Sequence, residues 1–351
     1  MDVNIEQCYD LVIDIIKGKK VANIVSSPGI GKSDLVRKIA KSLKLKVVDI
    51  RLAQCDPMDL VGLPNMDRTN NVTKLGSTDN TIKRSCYAPP DMYPLEGDTI
   101  PKGYIGWLLF FDEMNSAPLS VQASAYRIIL DRMVGQHNLH KKVIMMCAGN
   151  RTSDRAVVNR LSTAMQSRLI HLNIVADHKV WLNWADDNDI DYRIKSFIHF
   201  KPDLLHYFNP KHTDDTFPTP RTWSFLSDMI KPMVVLEDKK LPLIVGTIGN
   251  GTAIEFLEYS KIFGQLPTLE DLLISPETTP IPDEPSVQYA MSTMLAKEIN
   301  EGNVDTLMLY VNRLPGEFQV ITLTNTIKKN NKLIDHDCIE TWITEHAEEF
   351  I

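Results

Sequence analysis

The chain has 351 residues, of which 43% are hydrophobic and 24% charged, with a formal net charge of -7. That composition belongs to a globular chain long enough for two or three domains and excludes a disordered or fibrous one. No strong basic excess advertises nucleic acid, although a local basic groove can sit inside an acidic average. No apolar run approaches the roughly 18 to 20 residues of a membrane span. Met1–Glu6 lacks the charged start and apolar core of a signal peptide, so a cytoplasmic protein without a membrane partner is expected. The five cysteines, Cys8, Cys55, Cys86, Cys147 and Cys338, are scattered and never spaced C-x-x-C. They are expected to be reduced thiols with no zinc site, Cys147 being a small core residue.

Ile5, Cys8, Leu11, Val12, Ile15 and Ile16 recur at helical spacing, which predicts a helix over Asn4–Lys17. An apolar strand, Val21–Val25, follows. After the turn-forming text Ser26–Ser33, a helix from Asp34 carries Leu35, Val36, Ile39, Ala40 and Leu43 on one face. Lys46–Leu52 reads as a second strand. From about 57 to 105 prolines punctuate polar text. A structureless loop of that length is unusual in a compact domain, so an insertion opening on a short helix near Pro57–Val61 is expected.

Gly106–Asp112 is a buried strand ending in acid. Ser116 is the expected N-cap of the next helix, with Pro118 in its first turn and Val121, Ala125, Ile128 and Ile129 inward. Val143–Gly149, ending at Asn150, and Arg168–Ile174 are further strands. Strands separated by helices at this spacing predict an α/β fold with a parallel sheet covered on both faces. After Ile174 the pattern turns helical: Asp177–Asp187, Ile190–Phe200 and Arg221–Ile230. A turn-rich stretch, Leu266–Pro285, precedes a helical tail from Val287 to Ile351.

Ser26-Ser27-Pro28-Gly29-Ile30-Gly31-Lys32-Ser33 sits between strand and helix, where a phosphate-binding loop belongs. Its first position is serine rather than the glycine of G-x-x-x-x-G-K-[ST]. The loop's backbone N–H groups and the helix N-terminus would cradle phosphates, with Pro28, Gly29, Ile30, Gly31, Lys32, Ser33 and Asp34 as the expected binding residues. Lys32 would reach the β- and γ-phosphates of ATP and the Ser33 hydroxyl would meet Mg²⁺. Asp112, at the tip of a buried strand, suits that same Mg²⁺, and Glu113 can polarise the attacking water. Asn150 ends a third strand, and ligands of parallel sheets sit at strand carboxyl ends. His171 is expected to be a satisfied core or edge histidine, Trp181 and Trp184 core residues, and Asp186, Asp187 and Asp189 a solvated helix end.

Taken together, these residues resemble those of AAA+ ATPases, and within them the MoxR-type family. The resemblance rests on Ser27–Ser33, on Phe111-Asp112-Glu113-Met114-Asn115-Ser116-Ala117-Pro118 as a D-E-x-N-x-A-P run, and on Cys147–Asn150 as the sensor-1 strand. It extends to Asn159–Leu169, which ends in an arginine before the last strand, and to Pro218-Thr219-Pro220-Arg221-Thr222-Trp223 as a sensor-2 element. It spans roughly residues 10 to 235.

The resemblance implies a P-loop sheet ordered 5-1-4-3-2 in a core over 1–175, with an insert at about 57–105 and a hairpin at about 133–142. It implies a small all-α lid over 176–265; the helical C-terminal extension, 266–351, matches no module. It also implies a homo-oligomeric ring, commonly a hexamer, in which a neighbour's arginine completes the site. Arg168 is the first candidate for that finger and Arg160 the second, while Arg221 would reach the phosphates from the lid, of its own subunit or of a neighbour. The implied activity is ATP hydrolysis driving chaperone-like remodelling of a protein client, often with a von Willebrand factor A-domain partner. A DNA-directed motor and a slowly turning nucleotide-gated scaffold are the alternatives. Asn150-Arg151-Thr152-Ser153-Asp154 lacks the N-K-x-D pattern of a GTPase.

Overall fold

The computed structural model describes residues 2–65, 86–151, 159, 161–208, 214–261 and 266–346. Gly106–Asp112 carries six consecutive buried residues, which a strand sustains only where both its faces are covered. Leu108 and Phe110 point to one face and Leu109 and Phe111 to the other. This strand, β6, lies inside a six-stranded sheet with β1 (Asp2–Val3), β2 (Val21–Ser26), β3 (Leu45–Arg51), β9 (Val143–Asn150) and β10 (Leu169–Ile174). All five pairings are parallel. The order is β1-β10-β2-β9-β6-β3. With β2, β3, β6, β9 and β10 as first to fifth core strands, that is the expected 5-1-4-3-2, and β1 adds an unforeseen sixth strand outside the fifth.

Helices α1 (Ile5–Lys17) and α2 (Lys32–Ser42) cover one face, packing Val12, Leu35, Val36 and Ile39 against Ile24, Leu108, Phe110 and Ala148. Asn4 opens α1 through a reciprocal cap: its side chain accepts from the Gln7 N–H and the Gln7 side chain accepts from its own. The short α3 (Pro57–Val61) stands where it was expected and leads into β4 (Leu63–Asn65), which pairs antiparallel with β5 (Cys86–Ala88). Helix α4 (Leu119–Asp131) covers the second face with Val121, Ala125, Ile128 and Ile129 against Leu109, Phe111 and Cys147. Its start differs from the expectation. Pro118 is the N-cap, and the Ser116 N–H closes a turn onto the Glu113 carbonyl instead. Pro118 has no side-chain acceptor, so α4 begins without a side-chain cap.

The expected hairpin is β7 (Met133–Val134) with β8 (His137–Asn138). Arg132, at the left-handed end of α4, staples it to the sheet by donating to the carbonyls of His140 and Val143. A short helix, α5 (Thr163–Gln166), precedes β10.

The described chain divides into two compact units, the first ending at Val180, inside α6 (His178–Asp187). The second unit is helical: α7 (Tyr192–Phe200), α8 (Pro220–Ile230), α9 (Leu241–Ile248), α10 (Asn250–Lys261), α11 (Leu269–Ile274), α12 (Pro285–Glu298), α13 (Val304–Val311), α14 (Gly316–Lys329) and α15 (Asp337–Glu345). Phe197, Trp223, Phe256 and Tyr259 form an aromatic centre with ring separations near 5.5 Å. Residues beyond 266 share this unit, as His199 stacks on Tyr289 at 3.9 Å. Among the described residues no helix is long and apolar enough to cross a membrane.

Candidate nucleotide site

Three strand ends meet at the carboxyl edge of the sheet. Register places Ser26 beside Asn150 on β2 and β9, and Asp112 beside Arg51 on β6 and β3. The loop leaving β2 turns through Gly29 and Gly31 at φ 78° and 102°. L side chains rarely adopt that conformation, so glycine is needed at both positions to aim the loop's N–H groups at the start of α2. Ile30 between them is buried in the core under α1 and α2 and anchors the loop. Pro28 is half-buried. Asp34 turns its side chain outward to an exposed pair with Arg37 at 2.8 Å, so only its backbone faces the loop's task.

Lys32 is the hub. Its ammonium donates to the Ser26 hydroxyl (2.9 Å), to the Asn150 side-chain oxygen (3.1 Å), and to the carbonyls of Ser26 (3.2 Å) and Ser27 (3.4 Å). An ammonium has three donors, so these oxygens already saturate it, and a phosphate oxygen is recognised by exchange for one of them. The serine that replaces glycine at the loop's first position is wholly buried and supplies the shortest of these contacts. Its hydroxyl in turn donates to the Ser27 carbonyl at 2.8 Å.

Asp112 and Glu113 are fixed by a strained turn. Glu113 has φ 56°, in the left-handed region, a conformation that costs a non-glycine residue roughly 1–2 kcal/mol. The turn is held by the Glu113 N–H on the Asp112 carboxylate (2.8 Å) and the Met114 N–H on the Ala148 carbonyl of β9 (2.8 Å). Strain kept in place by such bonds aims a side chain at a task rather than relaxing it. Asp49, on β3, has its carboxyl raised above the ordinary range by partial desolvation and then by the Asp112 charge. Serine hydroxyl and carboxylate oxygens are the hard donors that Mg²⁺ prefers, so Ser33 and Asp112 fit such an ion held with nucleotide phosphates.

One residue of this site escaped the sequence reading. Asn115 clamps Asn150 on both sides of its backbone: its Nδ2 donates to the Asn150 carbonyl (2.6 Å) and its Oδ1 accepts from the Asn150 N–H (3.0 Å). The approach is so close that a Cβ on Gly149 would lie 2.5 Å from the Asn115 Oδ1. Asn115 therefore positions the side chain that touches Lys32. Its place in the run Asp112–Pro118 was visible; its partner, across the sheet, was not. Beyond the clamp lies a polar cavity of about 750 Å³ bordered by Asn23, Arg151 and His171. His171 uses both ring nitrogens, on the Asn23 amide and the Gln166 carbonyl, as expected of a satisfied edge histidine.

The arginines are placed differently. Arg168 is exposed at the amino end of β10, where Leu169 pairs with Val21, the far end of β2 from the loop. Its guanidinium bonds the Ala164 carbonyl at 3.0 Å and lies over the Tyr126 ring. Arg160 lies outside the described residues. Arg221 is exposed in the first turn of α8, which opens on a Thr219–Thr222 capping box and is anchored by the buried Trp223. Trp181 is buried as expected, whereas Trp184 is 41% exposed. Asp186 pairs with Lys195 and Asp189 with Lys231.

No family profile matches the chain, and no curated protein matches it. Solved structures similar to it include a candidate ATPase from Cytophaga hutchinsonii, 12% identical over 100% of this chain and 90% of that one, with a TM-score of 0.36. Another is the Holliday junction branch migration motor RuvB of Thermotoga maritima, 13% identical over 88% and 86% of the two chains, with a TM-score of 0.37. Likeness at this level carries no chemistry to this chain, which has to be read from its own geometry.

Proposed function

We propose that the chain is an ATP-hydrolysing motor of the AAA+ type, with motifs nearest the MoxR-type family. The observation that carries the reading is the contact of Lys32 with Asn150 at 3.1 Å. It joins the phosphate-binding loop to a polar side chain on another strand end, which a plain glycine turn has no reason to do. In this reading Gly29–Ser33 hold the triphosphate and Lys32 exchanges a loop oxygen for a phosphate oxygen. Ser33 and Asp112 hold Mg²⁺, which when bound neutralises charge developing on the phosphates. Glu113 orients and deprotonates the attacking water, and Asn150, set by Asn115, fixes that water against the γ-phosphate. Arg168 serves a neighbour's site in a homo-oligomeric ring, and Arg221 and Arg160 are the further arginine candidates. The work done is remodelling of a protein client.

The test separates binding from hydrolysis. Lys32→Ala should lose ATP binding, measured by titration calorimetry. Glu113→Gln should bind ATP yet hydrolyse it about 10²–10⁴-fold more slowly, the usual worth of a positioned general base. Tight binding by the first variant would sink the loop assignment, and normal turnover by the second the role of Glu113. Proteins retained by the ATP-locked Glu113→Gln chain would identify the client.

A further inference from the structure

Far from the phosphate loop in sequence, three different metal-ligand types converge in the helical unit. Asp305 stands in the first turn of α13, while His336 caps α15 and Cys338 lies in its first turn. The His336 Nδ1 is 3.2 Å from the Cys338 Sγ and 3.9 Å from the Asp305 Oδ1. All three ligand atoms lie within 4.8 Å of one another. Tetrahedral zinc with bonds of about 2.0–2.3 Å keeps its ligand atoms about 3.5 Å apart, so the trio needs adjustments of only about 1 Å.

We propose that Asp305, His336 and Cys338 form a binding site for a borderline divalent cation of the zinc class, with a fourth position open to water. The ligand chemistry selects that class. A thiolate and an imidazole disfavour Mg²⁺ and Ca²⁺, and a single carboxylate suits Zn²⁺ or Co²⁺. Access exists, because the Asp305 side chain is 76% exposed while that of His336 is 28% exposed. A cation at the centre compensates the carboxylate and replaces the thiol proton, which leaves to solvent. The site also has mechanical sense. Ile339 and Trp342 of α15 are buried against Leu307 and Val311 of α13, and a cation would staple the two helices at the solvent edge of that contact. The cysteine spacing gave no sign of zinc because the three ligands come from two helices far apart in sequence and only one is a cysteine.

The experiment titrates the full chain with Co²⁺ alone and then Zn²⁺ alone. One equivalent of Co²⁺ should give thiolate-to-cobalt absorption in the near ultraviolet with release of the thiol proton, and Zn²⁺ should then displace the cobalt without further proton release. Cys338→Ser should abolish the absorption, and His336→Ala should weaken affinity more than about tenfold, the least expected on disturbing a metal's ligand sphere. Asp305→Asn, which removes only an exposed charge, guards against loss through misfolding and should also weaken binding. Absence of cobalt absorption in the native chain, or equal affinity in Cys338→Ser, overturns the proposal. ATP turnover reads the phosphate loop separately, so loss of metal binding with turnover intact leaves the nucleotide reading untouched.

Discussion

At the scale of single residues, Ser26 is the departure that matters most. Glycine at the loop's first position would take one side-chain hydroxyl away from the Lys32 ammonium. Serine adds a buried hydroxyl at 2.9 Å from the ammonium. A hydrogen bond to a charged group is worth about 1.5–3 kcal/mol, and phosphate must compete with it for a saturated donor. Ser26→Ala should therefore tighten ATP binding, by as much as about tenfold if 1.4 kcal/mol of that competition is relieved. Titration calorimetry against the native chain measures it. Weaker binding would mean that the hydroxyl contacts nucleotide or shapes the loop, and would reverse its assigned role. The positions of Lys32, Asp112, Glu113 and Asn150 were legible because each sits at a strand end, or on the loop-to-helix step that follows one, and is recognisable from the local pattern. Asn115 and the Asp305–His336–Cys338 trio were not. Their meaning depends on partners 31 to 35 positions away, set by sheet register and helix packing.

At the scale of elements, strands were easier to read than caps. Gly106–Asp112 announces itself because a run buried on both faces must be apolar throughout. The two-residue β1 is too short to carry any periodicity, and the start of α4 was misplaced because proline and serine both suit a helix entry. What holds α7 to α8 was also invisible. Arg193 and Asp191 form a pair with both side chains 3% exposed. Asp191 caps α7 through the Arg193 N–H, and the guanidinium also donates to the carbonyls of Ile230 and Met233 at the end of α8. A buried pair adds little relative to an apolar one, but breaking it strands a charge. Arg193→Ala should thus destabilise the helical unit by about 3–5 kcal/mol, read from urea unfolding by tryptophan fluorescence. A loss under about 1 kcal/mol, the value of an exposed pair, would show that Asp191 finds water once its partner is gone.

At the scale of the whole molecule, the sheet itself decides how Arg168 can act. Leu169 pairs with Val21 and Ile174 with Ser26, so Arg168 and the phosphate loop lie at opposite ends of the same pair of strands. Six residues of strand separate them, about 17–20 Å at 3.3 Å per residue. The guanidinium is further held at home by the Ala164 carbonyl. A role on this chain's own γ-phosphate is therefore out of reach, so any part Arg168 plays in hydrolysis belongs to the site of another copy. In the proposed ring, Arg168→Ala should lower turnover on the order of 10³-fold while leaving ATP binding intact. Lys32→Ala should be inactive for the opposite reason. Mixed in equal amounts, the two restore interfaces in which one subunit brings Lys32 and its neighbour Arg168. Random assembly makes about a quarter of the sites complete, and the mixture should recover about that share of native turnover if sites act independently. A mixture as inactive as its components would refute the shared site. An Arg168→Ala chain that turns over normally alone would remove Arg168 from the chemistry and pass the same test to Arg160.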